Sequence, residues 1–432
     1  MLKRLDLRGV AGDLEAHLPR PTLGGDEPVE AVRAILADVK ARGDQALRDY
    51  TARFDGVELG AELRVPRQEL HDALGRIDSA LRDALEEAAD SIRSFHEGQL
   101  PVEHLHERGG IAVRGYARPV DRAGLYVPGG RAVYPSTVLM TAVPAKVAGV
   151  PETVLCVPPD RSTGRVPDAT LAAAALAEVD EVYPVGGAQA IGALAFGTES
   201  IRPVDVIVGP GNVYVAVAKR EVAGQGRVAV PSSFAGPSEV VVVADASVPA
   251  EYAAIDLIVQ AEHGPGGLSW LLTWSEAVAD HIIGVMEQLV ENAPRKADIL
   301  STLDSNGYAV LCDSPEQAIE VSNLIAPEHL ELLCANGEAL VPLVRNAGAI
   351  FSGALAPASI GDYLAGPNHV LPTFGSARFS SALTVHDFLK HLHVVTVDES
   401  GLERVAPHVV ALARAEGLDA HAQSVLLRQA PR

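Results

Sequence analysis

Residues 181–224 read EVYPVGGAQAIGALAFGTESIRPVDVIVGPGNVYVAVAKREVAG. This stretch holds the same unit twice: a short apolar run with β-branched residues, a glycine turn, and an Ala-rich segment long enough for a helix. The turns are Gly186-Gly187 and Gly209-Pro210-Gly211. Strands that alternate with helices in this way form a parallel sheet covered by helices. The stretch therefore predicts an α/β fold.

The same alternation extends to both sides. Strands are predicted at 153–157, 181–185, 205–208, 239–245, 269–274 and 308–312, and helices at 169–179, 188–196, 212–224, 255–263, 279–293 and 315–326. Apolar residues at helical spacing predict helices between residues 28 and 98, with glycine ends at Gly43 and Gly98. Residues 1–25 are expected to form a short helical arm followed by a Pro/Gly turn at 19–25, and the polar end of the chain is expected to finish in a helix that begins near Asp419. We expect two doubly wound α/β units with smaller terminal elements.

Composition excludes several classes of protein. The 432 residues are 48% apolar and 21% charged, which predicts an ordered, multidomain chain with a large core. The net charge of −21 disfavours binding to nucleic acid or to an anionic membrane. Three cysteines without C-x-x-C spacing exclude a disulfide scaffold and a cysteine-only zinc knuckle, and they fit a reducing cytoplasm. We expect no signal peptide and no membrane-spanning helix.

The two glycine turns indicate a phosphate-binding role only weakly. Each turn precedes a helix whose first N–H groups attract an anion, and glycine lets a ligand approach the backbone. However, G-x-G-x-x-G occurs at neither turn, because Asn212, Val213 and Tyr214 follow Gly211. Tight turns are also what any strand–helix unit needs, so that interpretation stays open.

Histidine is concentrated in the second half of the chain. Nine of the 14 histidines follow residue 262, and imidazole is both a frequent metal ligand and the usual acid–base group near neutral pH. Gln260 and His263 lie three apart on a predicted helix, so they share a face just before a glycine break. That face suits a metal, although the residue types alone favour Glu262 over Gln260 as a ligand.

Two further contexts point to acid–base chemistry. Glu328 and His329 are adjacent at an element boundary, where both can enter one cleft, although an acidic helix N-terminus explains the pair equally well. Asp362 and His369 lie in a long stretch rich in glycine and proline, and such a stretch is often functional. The motifs of zinc peptidases, serine hydrolases and P-loop ATPases are absent from the sequence.

At these residues the chain resembles the histidinol dehydrogenase family along nearly its whole length. The matching stretches, in order, are GLYVPGG (124–130), STVLMTAVPAKVAG (136–149), PVGGAQAIGALAFGT (184–198), VGPGNVYVAVAKR (208–220), AGPSEVVVVAD (235–245), QAEHGP (260–265), APEHLE (326–331), SIGDYLAGPNHVLPT (359–373) and GLDAHAQSVLLR (417–428). Nine ordered matches form a far more specific signal than any single motif.

The resemblance implies a fold and an assembly. The family has two incomplete Rossmann-like doubly wound domains with small helical terminal elements, which accounts for the missing third glycine, and it forms an intertwined homodimer. We expect an N-terminal arm at 1–27 and a first Rossmann-like domain, with the zinc and substrate site, at 28–122 and 238–380. The second, with the NAD-contacting turns, is expected at 123–237, and a C-terminal element exchanged in the dimer at 381–432.

The resemblance also implies the reaction: a cytoplasmic enzyme oxidises L-histidinol to L-histidine through bound L-histidinal, with two NAD and one zinc ion per subunit. The implied zinc ligands are Gln260, His263, Asp362 and His421, the last from the partner subunit, which replaces our choice of Glu262. His329 resembles the general base and Glu328 the residue that activates water. Tyr126, Gln189 and Asn212 would contact NAD. The implied substrate contacts are Ser238, Gln260, His263, His329, Asp362, His369, Glu416 and His421.

Two departures from the family pattern concern substrate preference. Many members carry an acid at the position of Ala358, and the stretch VPSSF (230–234) replaces IDMP or a similar sequence. One alternative is therefore a relative that oxidises another polar alcohol, such as a sulfonated propanediol, although Tyr363 is as expected for histidinol enzymes. A nucleotide-binding protein without activity and a metal-dependent hydrolase are further alternatives.

The identity of the metal also stays open, because zinc and manganese both fit a ligand set of nitrogen and oxygen atoms.

Overall fold

A computed structural model describes residues 1–19, 28–129, 132–231, 238–262 and 266–429. In chain order the strands are β1 (Lys3–Asp6), β2 (His104–Arg108), β3 (Ile111–Pro119), β4 (Arg122–Tyr126), β5 (Glu152–Cys156), β6 (Glu181–Tyr183), β7 (Val206–Val208), β8 (Glu239–Ala244), β9 (Leu268–Thr273), β10 (Gly307–Leu311), β11 (His329–Leu333), β12 (Ala349–Ser352) and β13 (Leu389–Val397).

The helices cover these strands. They are α1 (Val29–Arg42), α2 (Asp44–Asp55), α3 (Arg67–Arg76), α4 (Ser79–Glu97), α5 (Pro135–Val147), α6 (Asp168–Leu176), α7 (Gly187–Phe196), α8 (Val213–Ala223), α9 (Ala250–Glu262), α10 (Glu276–Glu291), α11 (Lys296–Asn306), α12 (Pro315–Ile325), α13 (Gly337–Leu340), α14 (Ala358–Tyr363), α15 (Glu399–Ala415) and α16 (Asp419–Gln429). In the described parts of the chain, no helix has the length and apolar character needed to cross a membrane.

Two parallel sheets share one strand order. The four-stranded sheet runs β6-β5-β4-β7, which is 3-2-1-4 in chain order. In the six-stranded sheet, β10-β9-β8-β11-β12 runs 3-2-1-4-5, with β1 added at the β10 edge. This is the order of a doubly wound nucleotide-binding sheet. The predicted α/β class and its parallel sheets are confirmed, together with every strand and helix predicted between residues 153 and 326, within a few residues at their ends.

Each parallel sheet is buried on both faces. Helices α3 to α6 cover one face of the four-stranded sheet, and α1, α2, α7 and α8 cover the other. Helices α9 to α11 and α12 lie on opposite faces of the six-stranded sheet. Five of the six residues of β8 are accordingly apolar, as a buried parallel strand requires. Helices α1 to α4 thus pack with residues 123–231, whereas the predicted grouping joined 28–122 to 238–380. The domain boundaries themselves stay a prediction.

The terminal elements differ from the predicted helices. Residues Lys3–Asp6 form a strand parallel to β10, and Leu7 is buried beneath the six-stranded sheet. Near the other end, β13 pairs antiparallel with β3 from Leu389↔Pro119 to Val397↔Ile111, and β2 completes a three-stranded sheet. Helix α16 confirms the helix predicted near Asp419, but α15 and β13 were not predicted. Strands at the edge or surface carry polar side chains on both faces, so their sequences lack a clear apolar period.

Candidate active site

The candidate site lies where the two parallel sheets meet. Its cavity of about 270 Å³ is lined by Pro210, which follows β7, and by Ser238 and Glu328, which precede β8 and β11. The carboxyl end of the four-stranded sheet therefore faces the amino end of the six-stranded sheet. The predicted site residues that line this cavity are Ser238, Gln260, Glu328, His329, Asp362 and His369.

Glu328 is held at the start of β11 by two donors from the neighbouring strand. Its Oε2 atom accepts hydrogen bonds from Ser238 Oγ at 2.5 Å and from the Glu239 backbone N–H at 3.0 Å. The residue is only 7% exposed. A helix N-terminus, which the sequence allowed at this point, is not formed, because His329 begins a strand.

His329 has one ring nitrogen bound to the backbone and the other directed at the site. Nδ1 lies 3.1 Å from the Glu239 carbonyl oxygen, which can only accept, so Nδ1 carries the proton and donates. Nε2 is buried, lies 3.7 Å from Asp362 Oδ1, and forms no hydrogen bond within the described residues. Burial alone lowers the pKa of His329, but the Glu328 and Asp362 carboxylates outweigh it and raise this pKa to about 9. A pKa of about 9 favours the protonated ring at neutral pH, and the ring presents a basic nitrogen to the cavity once Nε2 has lost its proton.

His369 has both ring nitrogens engaged. Nδ1 donates to the Asp362 carbonyl oxygen at 2.9 Å, and Nε2 lies 3.1 Å from Thr137 Oγ1. Burial lowers the pKa of His369, so the ring stays neutral. The residue lines the cavity, as predicted for a substrate contact, and it also holds the backbone that carries the Asp362 carboxylate.

Two of the four predicted metal ligands meet in this cavity. Gln260 lies near the end of α9, where its buried Nε2 has no hydrogen-bond partner among the described residues, and Asp362 lies on α14. His263 falls outside the described residues. His421 is exposed on α16 and does not line the cavity, and neither does the exposed Glu416 before it. Over the described ranges, no three His, Cys, Asp or Glu side chains are grouped closely enough to hold a metal ion.

The donor chemistry nevertheless fits a zinc ion. The Gln260 amide, whose oxygen can ligate a metal, and the Asp362 carboxylate line the same cavity, and two imidazoles would complete a set of nitrogen and oxygen ligands. The sequence argument for Glu262 has no such support, because the cavity lining includes Gln260 and not Glu262.

A second, larger cavity of about 700 Å³ adjoins the first and shares Pro128 and Tyr134 with it. Tyr126, Gln189 and Asn212 all line it, so the structure brings the three predicted NAD contacts together. Tyr126 Oη accepts the Gly187 N–H at 3.0 Å, and Asn212 Oδ1 caps α8 through the Val215 N–H at 3.2 Å. The cavity lies at the carboxyl end of the four-stranded sheet, where doubly wound sheets bind their ligands.

The turn between β7 and α8 is built around Gly209. This residue has φ +104°, and a Cβ atom there would overlap the Tyr126 carbonyl oxygen. The buried Lys219 ammonium group donates to the Gly209 carbonyl oxygen, and burial lowers the pKa of Lys219 to about 7. The conformation of the turn is therefore specified by glycine and by a contact from the following helix.

Two acidic residues of the smaller cavity were missed by the sequence analysis. Asp256 and Glu331 both line it. Their spacing from predicted site residues could have indicated them. Asp256 lies one helical turn before Gln260, and Glu331 lies two residues after His329, on the same face of the strand.

Comparison with known proteins gives one consistent result. The sequence profile of the family described as histidinol dehydrogenase matches residues 18–429. A histidinol dehydrogenase of Gluconobacter oxydans (strain 621H) is 46% identical and covers 99% of each chain, and one of Rhizobium meliloti (strain 1021) is 47% identical over 96% of this chain and 95% of that protein. The crystal structure of histidinol dehydrogenase from Elizabethkingia anophelis has a TM-score of 0.93 at 36% identity, covering 99% of this chain and 98% of that one.

Proposed function

The chain belongs to the histidinol dehydrogenase family, whose members are oxidoreductases, and we propose that it oxidises L-histidinol to L-histidine in two NAD-dependent steps with one zinc ion per subunit. The observation that carries the proposal is the convergence of Gln260, Glu328, His329 and Asp362 on one cavity that adjoins the larger cavity lined by the expected NAD contacts.

His329 is the general base of the proposed first oxidation. Its Nδ1–H is held by the Glu239 carbonyl, so Nε2 is left to take the proton from the substrate hydroxyl as the aldehyde forms. When bound, NAD accepts the hydride from the carbinol carbon. The Glu328 and Asp362 carboxylates stabilise the imidazolium that results, because both lie within 4 Å of the ring nitrogens.

Glu328 serves the proposed second oxidation. The aldehyde has to be hydrated before it can lose another hydride, and a carboxylate can take a proton from the attacking water. Ser238 Oγ and the Glu239 N–H hold the Oε2 atom and leave Oε1 for that water. The side chains of Gln260, Glu328 and His329 that line the cavity are buried, which limits the contact of the reactive aldehyde with bulk solvent.

Gln260, His263, Asp362 and the partner subunit's His421 would hold the zinc ion. When bound, zinc supplies a Lewis acid that holds the imidazole and amino nitrogens of the substrate. Gln260 and Asp362 already line the cavity, and the set of nitrogen and oxygen donors suits zinc. This arrangement fixes the carbinol carbon beside His329.

We propose a homodimer, and the position of the C-terminal helices supports it. Glu416 and His421 are exposed outside the cavity of their own chain, so they reach a substrate only by entering the site of a second copy. Apolar side chains lie exposed on the elements around them, namely Leu105 of β2, Val395 of β13, Leu412 of α15 and Leu427 of α16. Exposed apolar patches of this kind are typical of subunit interfaces. We propose the cytoplasm as the location, since the three cysteines are free and buried.

The test is the yield of NADH per molecule of substrate. With L-histidinol, NAD and zinc we expect two NADH per histidinol, loss of activity on chelation, and recovery when zinc is restored. A protein that binds zinc and NAD but forms no NADH from histidinol would contradict the proposal. A sulfonated propanediol as the active substrate would then identify the alternative relative.

A further inference from the structure

A buried pair of carboxyl groups connects the elements of the catalytic cavity. Glu331 of β11 is fully buried, and its Oε1 accepts the Ala358 N–H at 2.9 Å, at the start of α14. Its other oxygen, Oε2, is buried and receives no N–H or O–H hydrogen bond within the described residues, and the Asp256 carboxyl group, on α9, is the neighbouring group with which it can share a proton. Two carboxyl groups can share a hydrogen bond only if one of them keeps a proton.

The pair adjoins the two predicted metal ligands that line the cavity, Gln260 and Asp362. Asp256 is one helical turn from Gln260 on α9, and Ala358 is one turn from Asp362 on α14. Glu331 shares a strand face with His329. A single hydrogen-bonded unit, Ala358 N–H to Glu331 to Asp256, therefore joins the two helices that carry Gln260 and Asp362 to the strand that carries the general base.

We propose that the Asp256–Glu331 pair is a positioning element that holds α9 and α14 at the separation at which Gln260 and Asp362 bind zinc. The inference rests on the proposed function, because it concerns the zinc ligands. These contacts disfavour a role for Glu331 in binding a positively charged group of the substrate. Its Oε1 atom accepts the Ala358 N–H, and its carboxyl group also interacts with Asp256. The pKa of both acids is raised by burial, which supports a shared proton.

Substitution of Glu331 by the isosteric amide tests whether the residue acts through its hydrogen bonds or through its negative charge. Glu331→Gln keeps an acceptor for the Ala358 N–H and gains an N–H that donates to Asp256. Glu331→Leu removes both contacts, and Asp256→Ala removes the link to α9 from a half-buried position that tolerates truncation better. Glu251→Ala is the matched control, since it removes an exposed acid from the first turn of the same helix.

The measurement is the zinc affinity of the full-length protein in competition with a chromophoric chelator, with zinc as the only added ligand. We expect Asp256→Ala and Glu331→Leu to bind zinc roughly 10- to 100-fold more weakly, and Glu331→Gln and Glu251→Ala to stay within about twofold of the wild type. NAD affinity, measured by calorimetry, should be unchanged, because neither acid lines the larger cavity. A general folding defect would weaken both.

Wild-type zinc affinity in Asp256→Ala would overturn the inference, and so would Glu331→Gln binding zinc as weakly as Glu331→Leu. If Glu331→Leu does not fold, Asp256→Ala decides. These results are separable from failure of the proposed function. If the wild-type protein oxidises histidinol with zinc and Asp256→Ala keeps the wild-type zinc affinity, only the role of the acid pair is wrong. A wild-type protein that neither binds zinc nor oxidises histidinol removes both.

Discussion

His329 and His369 of the candidate site differ in the hydrogen bonding of their Nε2 atoms. In both, Nδ1 donates to a backbone carbonyl, that of Glu239 for His329 and that of Asp362 for His369. Nε2 of His369 is then taken by Thr137, whereas Nε2 of His329 has no hydrogen-bond partner within the described chain. Only His329 has a nitrogen available for proton transfer, so residue identity alone does not assign the base.

His329→Ala should reduce histidinol oxidation by about 10²- to 10⁴-fold, the usual contribution of a general base. Zinc should remain bound, because His329 is not among the expected ligands. The rate is measured as NADH formation and the metal by elemental analysis of the purified variant. Near-normal turnover would exclude His329 as the base.

Glu328→Gln should spare the first oxidation and slow the second, because an amide can accept the Ser238 and Glu239 hydrogen bonds but cannot take a proton from water. NADH formation from L-histidinol and from L-histidinal should be followed separately. Normal turnover of L-histidinal by this variant would show that another group activates the water.

The acid pair predicts a pH dependence of stability. Burial and the neighbouring Asp256 raise the pKa of Glu331 from 4.5 to about 9 in the folded chain. This proton therefore contributes its full stabilisation below pH 4.5. The contribution falls by up to about 1.4 kcal/mol per pH unit as the pH rises from 4.5, and it is lost once the pH has passed 9.

Glu331→Gln cannot ionise, so the variant should gain on the wild type in free energy of unfolding between about pH 6 and pH 9. Urea unfolding of both metal-free proteins at several pH values measures this difference. Parallel pH profiles would mean that Glu331 is already ionised in the folded protein at neutral pH.

At the scale of elements, the active-site cavity forms because two sheets of the same strand order meet at unlike ends. The predicted NAD contacts Tyr126, Gln189 and Asn212 lie at the carboxyl ends of β4, β6 and β7, as expected for a doubly wound sheet. Glu328 and His329 instead stand at the amino end of their sheet. The β7–α8 turn lies beside both cavities, with Pro210 in one and Asn212 in the other, so its shape affects both.

Gly209→Ala should destabilise this turn, because φ is +104° and the added methyl group overlaps the Tyr126 carbonyl oxygen. We expect a lower Tm and a higher KM for NAD. Gly226→Ala is the matched control: its φ is +67° with open space around it, so it should cost only about 1 kcal/mol in the free energy of unfolding. Equal effects of the two substitutions would argue against a close-packed turn.

At the scale of the whole molecule, the chain by itself does not complete the proposed site. Glu416 and His421 are exposed on the terminal helices, whereas the other predicted site residues of the described chain line the two cavities. An isologous dimer would place each terminal element at the other chain's site.

A mixture of His329→Ala and His421→Ala subunits tests this arrangement. In a mixed dimer one site loses both residues and the other keeps both, so random exchange at equal amounts should restore about a quarter of the wild-type activity. Activity is followed after the two inactive proteins are unfolded and refolded together. Absence of recovery, with subunit exchange shown by mass-tagged chains, would contradict a shared site.

Much of the molecule was predictable before its structure was known. Buried strands such as β8 are mostly apolar runs that alternate with Ala-rich helical segments, and this local signal identified the α/β class and the order of elements. The edge strand β1 and the surface strands β2, β3 and β13 escaped prediction. Polar side chains lie on both faces of β1, β2 and β13, and all four strands depend on backbone pairing with strands distant in the sequence.

By itself, the sequence determined the chemistry: which residues carry acids, imidazoles and amides, and in which order along the chain. Chain proximity also paired Glu328 with His329. Only the tertiary structure decided which ring nitrogen faces the cavity, and that Asp256 and Glu331 meet between α9 and α14. Those contacts join residues 27 to 90 positions apart, and their geometry depends on how two sheets pack, which no local pattern of residues specifies.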